Sequence, residues 1–213
     1  MRVLALIFAL TCAGAAWAHE AGAPGKSAAP STISRESLAL SAHPTLNTIA
    51  LAPDFALRDP AGVLVRLSDL RGQTVLIAFI YTSCTTACPL LSRQMRALQG
   101  RLQRARLLPG RVAMLSVTVD PGRDSDMVLA RYASSLGADP AGWRFLRDTH
   151  EALAPMMAGY REWAKALPDG EIDHPARLYL IDSRGRIREI YSLAFFDPRQ
   201  AMIDILTLVA EAR

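Results

Sequence analysis

Thr74-Val75-Leu76-Ile77-Ala78-Phe79-Ile80-Tyr81-Thr82-Ser83-Cys84-Thr85-Thr86-Ala87-Cys88-Pro89 is the stretch on which the reading of this chain turns. Its first seven residues form an apolar run that reads as a strand. The strand ends in a loop bearing two thiols four residues apart, and the loop opens a helix in which Pro89 suits the first turn. A strand, a cysteine-bearing loop and a helix in that order place the chemistry of an α/β protein at a strand's carboxyl end. The spacing is Cys-x3-Cys, so the two sulfurs could handle electrons, a metal ion, or both.

Outward from this stretch the pattern is regular. Upstream, Phe55-Ala56-Leu57 and Val63-Leu64-Val65 flank Arg58-Asp59-Pro60-Ala61-Gly62, a hairpin whose Asp, Pro and Gly serve the turn. Residues 67–72 read as a single turn leading into the strand. Downstream, Leu90, Met95, Leu98 and Leu102 recur at helical spacing, so a helix is expected from near Thr86 to near Arg104. A strand over 112–119 closes at Asp120-Pro121-Gly122, and a helix over 124–136 follows, with Asp124 as its cap and Gly137 as its stop. A strand over 143–146 and a helix over 149–157 come next. Strands over 177–181 and 187–191 are joined by the turn Asp182-Ser183-Arg184-Gly185-Arg186. The last helix, 198–212, sets Met202, Ile205, Leu206 and Val209 on one side. The order βαβαβα then ββα predicts α/β architecture with a mixed central sheet flanked by helices, matching a thioredoxin-like fold with an amino-terminal β-hairpin and insertions.

The amino terminus reads as an export signal over residues 1–18, with Arg2, an apolar run and the site Ala16-Trp17-Ala18. That run is shorter than the roughly 20 apolar residues a bilayer span needs. A soluble chain, periplasmic or otherwise exported, is therefore expected after cleavage, with no transmembrane anchor. The rival is lipidation at Cys12, whose preceding Ala9-Leu10-Thr11 fits such a site poorly. Residues 19–48 read as a flexible lead rich in Ala, Gly, Pro and Ser, and 49–213 as the folded domain. With 51% hydrophobic residues, the chain has enough apolar material for one globular core.

Formal charge is +4, or +3 once Arg2 leaves. Residues 71–119 contain no Asp or Glu but seven arginines, namely Arg71, Arg93, Arg96, Arg101, Arg104, Arg106 and Arg111. They read either as a solvated helix face or as a basic docking surface. Nucleic acid is not expected as a partner, because export removes the protein from it and no aromatic residues interleave the arginines.

Loss of Cys12 with the signal leaves Cys84 and Cys88. An exported pair often forms a disulfide, but a loop this short is a poor staple because closing it removes little unfolded-chain entropy. On a helix, residues i and i+4 lie about 5–6 Å apart at Cβ and share a face, so both sulfurs could converge on one cation. Thiolates are soft donors, suited to Cu(I), Zn or Fe–S clusters. Zinc fits less well, since a structural site wants four protein ligands. The further ligand candidate is His174, in Glu171-Ile172-Asp173-His174-Pro175, just before the strand over 177–181. His19 and His43 lie in the lead, and His150 reads as part of an ordinary helix start.

Three motifs, Tyr81-Thr82-x-Cys84-x3-Cys88-Pro89, Val119-Asp120-Pro121-x-Arg123-Asp124 and Asp173-His174-x4-Tyr179-Leu180-Ile181-Asp182, occur in an order and spacing similar to those of the Sco/SenC family. The chain resembles that family over about residues 50–210. Its members are copper-binding thioredoxin-fold proteins that help assemble the CuA centre of cytochrome c oxidase. The resemblance implies that Cys84, Cys88 and His174 are copper ligands, for Cu(I) and as an open alternative Cu(II). It also implies a supporting role for Asp120, whose other reading is a turn residue before Pro121. The implied partner is the CuA subunit or another copper protein. Two departures stand out: many members read Cys-Pro-Asp-x-Cys-Pro where this chain has Thr85-Thr86-Ala87 between the cysteines, and Pro175 stands where the family usually has Ser or Thr. The alternative activity is thiol-disulfide oxidoreductase chemistry, with Cys84 as nucleophile and Cys88 as resolving thiol. A copper-responsive sensor is a third class. A peroxidase is disfavoured, because the Pro-x3-Thr-x2-Cys approach to a peroxidatic thiol is absent.

Overall fold

A computed structural model describes residues 45–85 and 88–212. The expected signal with Cys12, the lead up to residue 44 with His19 and His43, and Thr86-Ala87 lie outside the described residues. Along the chain run β1 (Ala50–Leu51), the hairpin β2 (Ala56–Arg58) and β3 (Leu64–Arg66), β4 (Thr74–Ile80), α1 (Cys88–Arg104), β5 (Val112–Thr118), α2 (Asp126–Ser135), β6 (Trp143–Leu146) and α3 (His150–Gly159). The two-residue strands β7 (Lys165–Ala166) and β8 (Ile172–Asp173), then β9 (Arg177–Ile181), β10 (Arg186–Ser192) and α4 (Pro198–Glu211) complete it.

Six strands form one sheet in the order β1-β10-β9-β4-β5-β6. Every residue of β4 and β5 is buried, which is why both read as nearly continuous apolar runs: a strand covered on both faces has no side to give to water. They pair in parallel from Thr74↔Val112 to Ile80↔Thr118, joined by the α1 crossover, and β6 joins in parallel through α2. On the other side of β4, β9 runs antiparallel, with Val75↔Ile181 and Ala78↔Leu178, and hairpins into β10. The mixed sheet and flanking helices are those of the expected α/β class. Helices α1 and α4 pack on one another, and α4 also reaches β4. Beneath the end of β4, Phe79, Tyr160 and Tyr179 form an aromatic cluster with ring centroids 5.0–5.9 Å apart.

Several local expectations need correction. Helix α1 begins at Cys88, so Cys84 stands on the turn before it and not on a shared helix face. The buried stripe of α1 is Leu91, Met95, Leu98 and Leu102, while Leu90 is 45% exposed. The cap of α2 is Ser125, whose hydroxyl accepts from Val128 N, and not Asp124. In α4, Ala201, Ile205, Leu208 and Val209 face inward, and Leu206 does not. Neither β1 nor the β7–β8 hairpin is legible as a hydrophobic pattern. Residues 45–48 fall inside the span read as a lead; Leu46 there is buried, and its carbonyl accepts from Arg188. No helix of the described residues is long and apolar enough to cross a membrane.

Candidate functional site

The parallel ends of β4 and β5 and the start of antiparallel β9 lie at one edge of the sheet, so three loops remote in sequence meet there. Val119 N donates to Ile80 O, carrying the pairing just past both strands. Beyond it, the wholly buried Asp124 accepts from Thr82 N, from the Thr82 hydroxyl and from the Thr118 hydroxyl, and so ties down the start of the cysteine loop. Backbone and hydroxyl donors converging on one carboxylate are strong because the acceptor is charged.

Cys84 is buried yet lines an open cleft of about 360 Å³, and the N–H of Cys88, in the first turn of α1, donates to its sulfur at 3.2 Å. A helix start with its N–H groups forward favours negative charge on such a sulfur. Cys88 is packed in the core, and burial pushes its thiol up to about 12 despite a backbone hydrogen bond from Tyr81. Cys84 and Cys88 are not bridged to each other, so the disulfide that cysteine arithmetic allows is not formed in this structure.

The facing wall is the β7–β8 hairpin and the residues after it. His174 is half-buried, with its ring edge-on to Tyr81 at a centroid distance of 5.6 Å. Its Nδ1 accepts from Ala176 N at 3.3 Å. Burial pushes the imidazole pKa down against the opposing charge of Asp173, favouring the neutral form that binds metals. Glu171 accepts from the Tyr81 phenol and from the Thr85 hydroxyl, and these bonds hold its carboxyl below the usual carboxylate range. Burial and that same carboxylate push the Tyr81 phenol up.

Cys84 and His174 thus line one cleft together with Tyr81 and Glu171, while Cys88 is buried and reaches Cys84 through its backbone N–H. Among the described residues, no three His, Cys, Asp or Glu side chains are gathered closely enough to hold a metal ion. Asp120 is buried at the rim, where its carboxylate pairs with Arg123 and its carbonyl accepts from Arg123 N and Asp124 N as a turn residue does. Through Arg123, which donates to Gly170 O, it touches the hairpin but does not line the cleft. Of the seven arginines singled out, Arg71, Arg93, Arg96, Arg104 and Arg106 are exposed. Sequence reasoning assigned no role to Glu171, to the Tyr81 phenol or to Arg123, although the acidic run around His174 was in view.

The SCO1/SenC family model matches residues 44–210. The mitochondrial SCO2 homolog of Bos taurus is 32% identical over 146 residues, covering 66% of this chain and 53% of that protein. The SCO1 protein homolog of Bacillus subtilis is 28% identical over 142 residues, covering 65% and 72%. The chain therefore spans about half the length of the mammalian relative it matches. Among solved structures, Bradyrhizobium japonicum ScoI with copper bound is 31% identical with a TM-score of 0.60, covering 75% of this chain and 99% of that one. A SCO1/SenC family lipoprotein from Bacillus anthracis, 22% identical, shares the fold at a TM-score of 0.69 over 76% of this chain and 97% of its own. With a family match over most of its length and Cys84 lining one cleft with the His174 imidazole, the chain belongs to the SCO1/SenC family.

Proposed function

We propose that this protein is an exported copper metallochaperone in which Cys84, Cys88 and His174 hold Cu(I), with Cu(II) as a second cargo state, and hand the ion to a copper protein. The partner proposed is the CuA-bearing subunit of cytochrome c oxidase, and the compartment is the periplasm, on the reading of residues 1–18 as a signal. One observation carries the reading: Cys84, with the N–H of buried Cys88 on its sulfur, and a half-buried imidazole from a remote loop line the same cleft in a SCO1/SenC chain. The donor set fits copper, because two thiolates and an imidazole are soft-to-borderline ligands and leave a position for an incoming donor. The copper carried by the Bradyrhizobium relative, 31% identical, supports the same cargo. Since the donors are not gathered in this structure, uptake requires the His174 loop and the cysteine loop to draw together. Competition with a chromophoric Cu(I) chelator tests this: Cys84→Ser, Cys88→Ser and His174→Ala should each lose affinity. A His174→Ala variant that binds as tightly as wild type sinks the three-ligand site.

The asymmetry of the thiols favours a second use of the same pair. Cys84 at the cleft would attack a partner disulfide, releasing one partner thiol and forming a mixed disulfide. Cys88 then displaces the second partner thiol, so the partner gains two electrons and this chain is left with a Cys84–Cys88 bridge. Copper-free reduction of an oxidised CuA-domain disulfide, lost in Cys84→Ser, is the expected result. A wild type that leaves that disulfide intact rules the exchange out.

A further inference from the structure

The cysteine loop, residues 81–88, and the hairpin segment that carries His174, residues 165–174, are separated by about 80 positions in sequence, and no covalent link joins them where they face each other. What joins them around the thiols is a small set of hydrogen bonds centred on one carboxylate. The Tyr81 phenol donates to Glu171 Oε2 and in turn accepts from Ile172 N at 3.1 Å. The Thr85 hydroxyl donates to Glu171 Oε1 at 2.8 Å. Each carboxylate oxygen therefore takes a hydroxyl from a different side of Cys84, one from three residues before it and one from the residue after it.

This arrangement does more than hold a surface loop down. His174 lies three residues beyond Glu171, and its ring rests edge-on against the Tyr81 ring whose hydroxyl Glu171 accepts. Moving the carboxylate therefore moves the imidazole relative to the thiol. Arg123 adds a support at the hairpin's tip, donating to Gly170 O with its guanidinium 6.0 Å from the centre of the Tyr81 ring. The segment between the cysteines, Thr85-Thr86-Ala87, contains no carboxylate, so the acceptor beside Cys84 comes from the facing hairpin.

We propose that Glu171 is a positioning residue for the copper site: by accepting from Tyr81 and Thr85 together it keeps the His174 hairpin in register with Cys84. The proposal rests on the copper reading given above. Groups that orient metal ligands typically change affinity by about 10–100-fold when removed. Glu171 acts through a loop rather than by touching a ligand ring, so Glu171→Ala is expected to weaken Cu(I) binding by about 10-fold, the lower end of that range.

The test uses the mature protein and three readouts. In the metal-free state, NMR of the His174 ring reports its place beside Tyr81 through the ring-current shift. Glu171→Ala should move those signals toward the values of an exposed histidine while the unfolding midpoint stays within about 2 °C. Glu171→Gln, which keeps one carbonyl acceptor, should restore most of the shift. In Cu(I) competition, Glu171→Ala should bind about 10-fold more weakly. Combined with Tyr81→Phe and Thr85→Val, Glu171→Ala should then cost clearly less than it does alone, because both hydroxyl partners are gone and only the Thr85 N–H remains. A His174 signal that ignores Glu171→Ala, or a loss of affinity that simply adds to that of Tyr81→Phe and Thr85→Val, overturns the proposal. If wild-type affinity for Cu(I) is indifferent to Cys84→Ser and His174→Ala, the copper reading fails instead. The metal-free His174 shift in Glu171→Ala distinguishes that failure from a failure of the register itself.

Discussion

Cys84 and Cys88, four positions apart, occupy different chemical environments. Cys84 opens on the cleft with a backbone N–H on its sulfur, whereas Cys88 is 1% exposed with its thiol pushed up to about 12. Only a deprotonated and reachable sulfur alkylates quickly. With iodoacetamide at neutral pH, Cys88→Ser should label at close to the wild-type rate, and Cys84→Ser at least about tenfold more slowly. Mass spectrometry of the labelled sites decides it, and faster labelling of Cys88 would reverse the assigned roles. The residues that carry this chemistry were legible because thiols and an imidazole announce themselves in any sequence. Asp124 was not, since an Asp ahead of a helix reads as a cap. Its actual partner Thr82 lies 42 positions away, beyond what a local pattern can show. Glu171 is hidden for the same reason, 90 positions from Tyr81.

At the level of elements, the β9–β10 hairpin shows what a period-two reading misses. The turn over 182–186 was readable from its Asp and Gly, and Gly185 has φ +77° with Arg71 packed where a side chain would go. The bulge between Ile187 and Glu189 was not readable. By inserting a residue it turns Arg188 inward, where the side chain is 8% exposed, pairs with Asp182 and Glu211 and donates to Leu46 O. One arginine thereby ties the entry of the chain to a strand turn and to α4. Arg188→Ala leaves the buried Asp182 short of a partner and should cost roughly 3 kcal/mol in urea unfolding. Arg186→Ala, removing a side chain that is 32% exposed, should cost clearly less. Equal losses would show that the bulge does not concentrate the interaction on Arg188. The β7–β8 hairpin escaped the sequence reading for a simpler reason: strands of two residues contain no period to detect. In α1 it is Leu91 that faces inward, four residues before Met95, whereas Leu90 is five residues before it and turns toward solvent.

At the scale of the whole molecule, the βαβ order was legible because β4 and β5 are long and mostly apolar, and this already set the thiols at a strand end. That His174 faces them depends on β9 pairing antiparallel to β4, a contact between segments about 100 residues apart. The same long-range packing buries two carboxylates with opposite effects on acid stability. Burial would raise Asp182, but the backbone N–H of Arg186 and the side chains of Arg188 and Arg186 outweigh it and lower its pKa. A carboxyl lowered in the fold contributes stability above its unfolded value, near 3.8, and loses that contribution as pH falls through the folded value. Glu162 runs the other way. Burial raises it more than Tyr179 and Arg177 lower it, and its Oε2 is buried with no hydrogen-bond partner among the described residues. Its contribution is complete below the ordinary value of 4.5 and is lost as pH rises through the raised one. Unfolding midpoints measured from about pH 2.5 to 7 should therefore show a steeper acid limb in wild type than in Asp182→Asn. In Glu162→Gln, the loss of stability that wild type shows on raising the pH above 4.5 should disappear. An Asp182→Asn protein with the wild-type acid slope would mean that Asp182 brings no charge-dependent stability to the Arg188 network, and that β10 is held to α4 by packing, the Arg188–Glu211 pair and the Tyr191–Asp204 hydrogen bond.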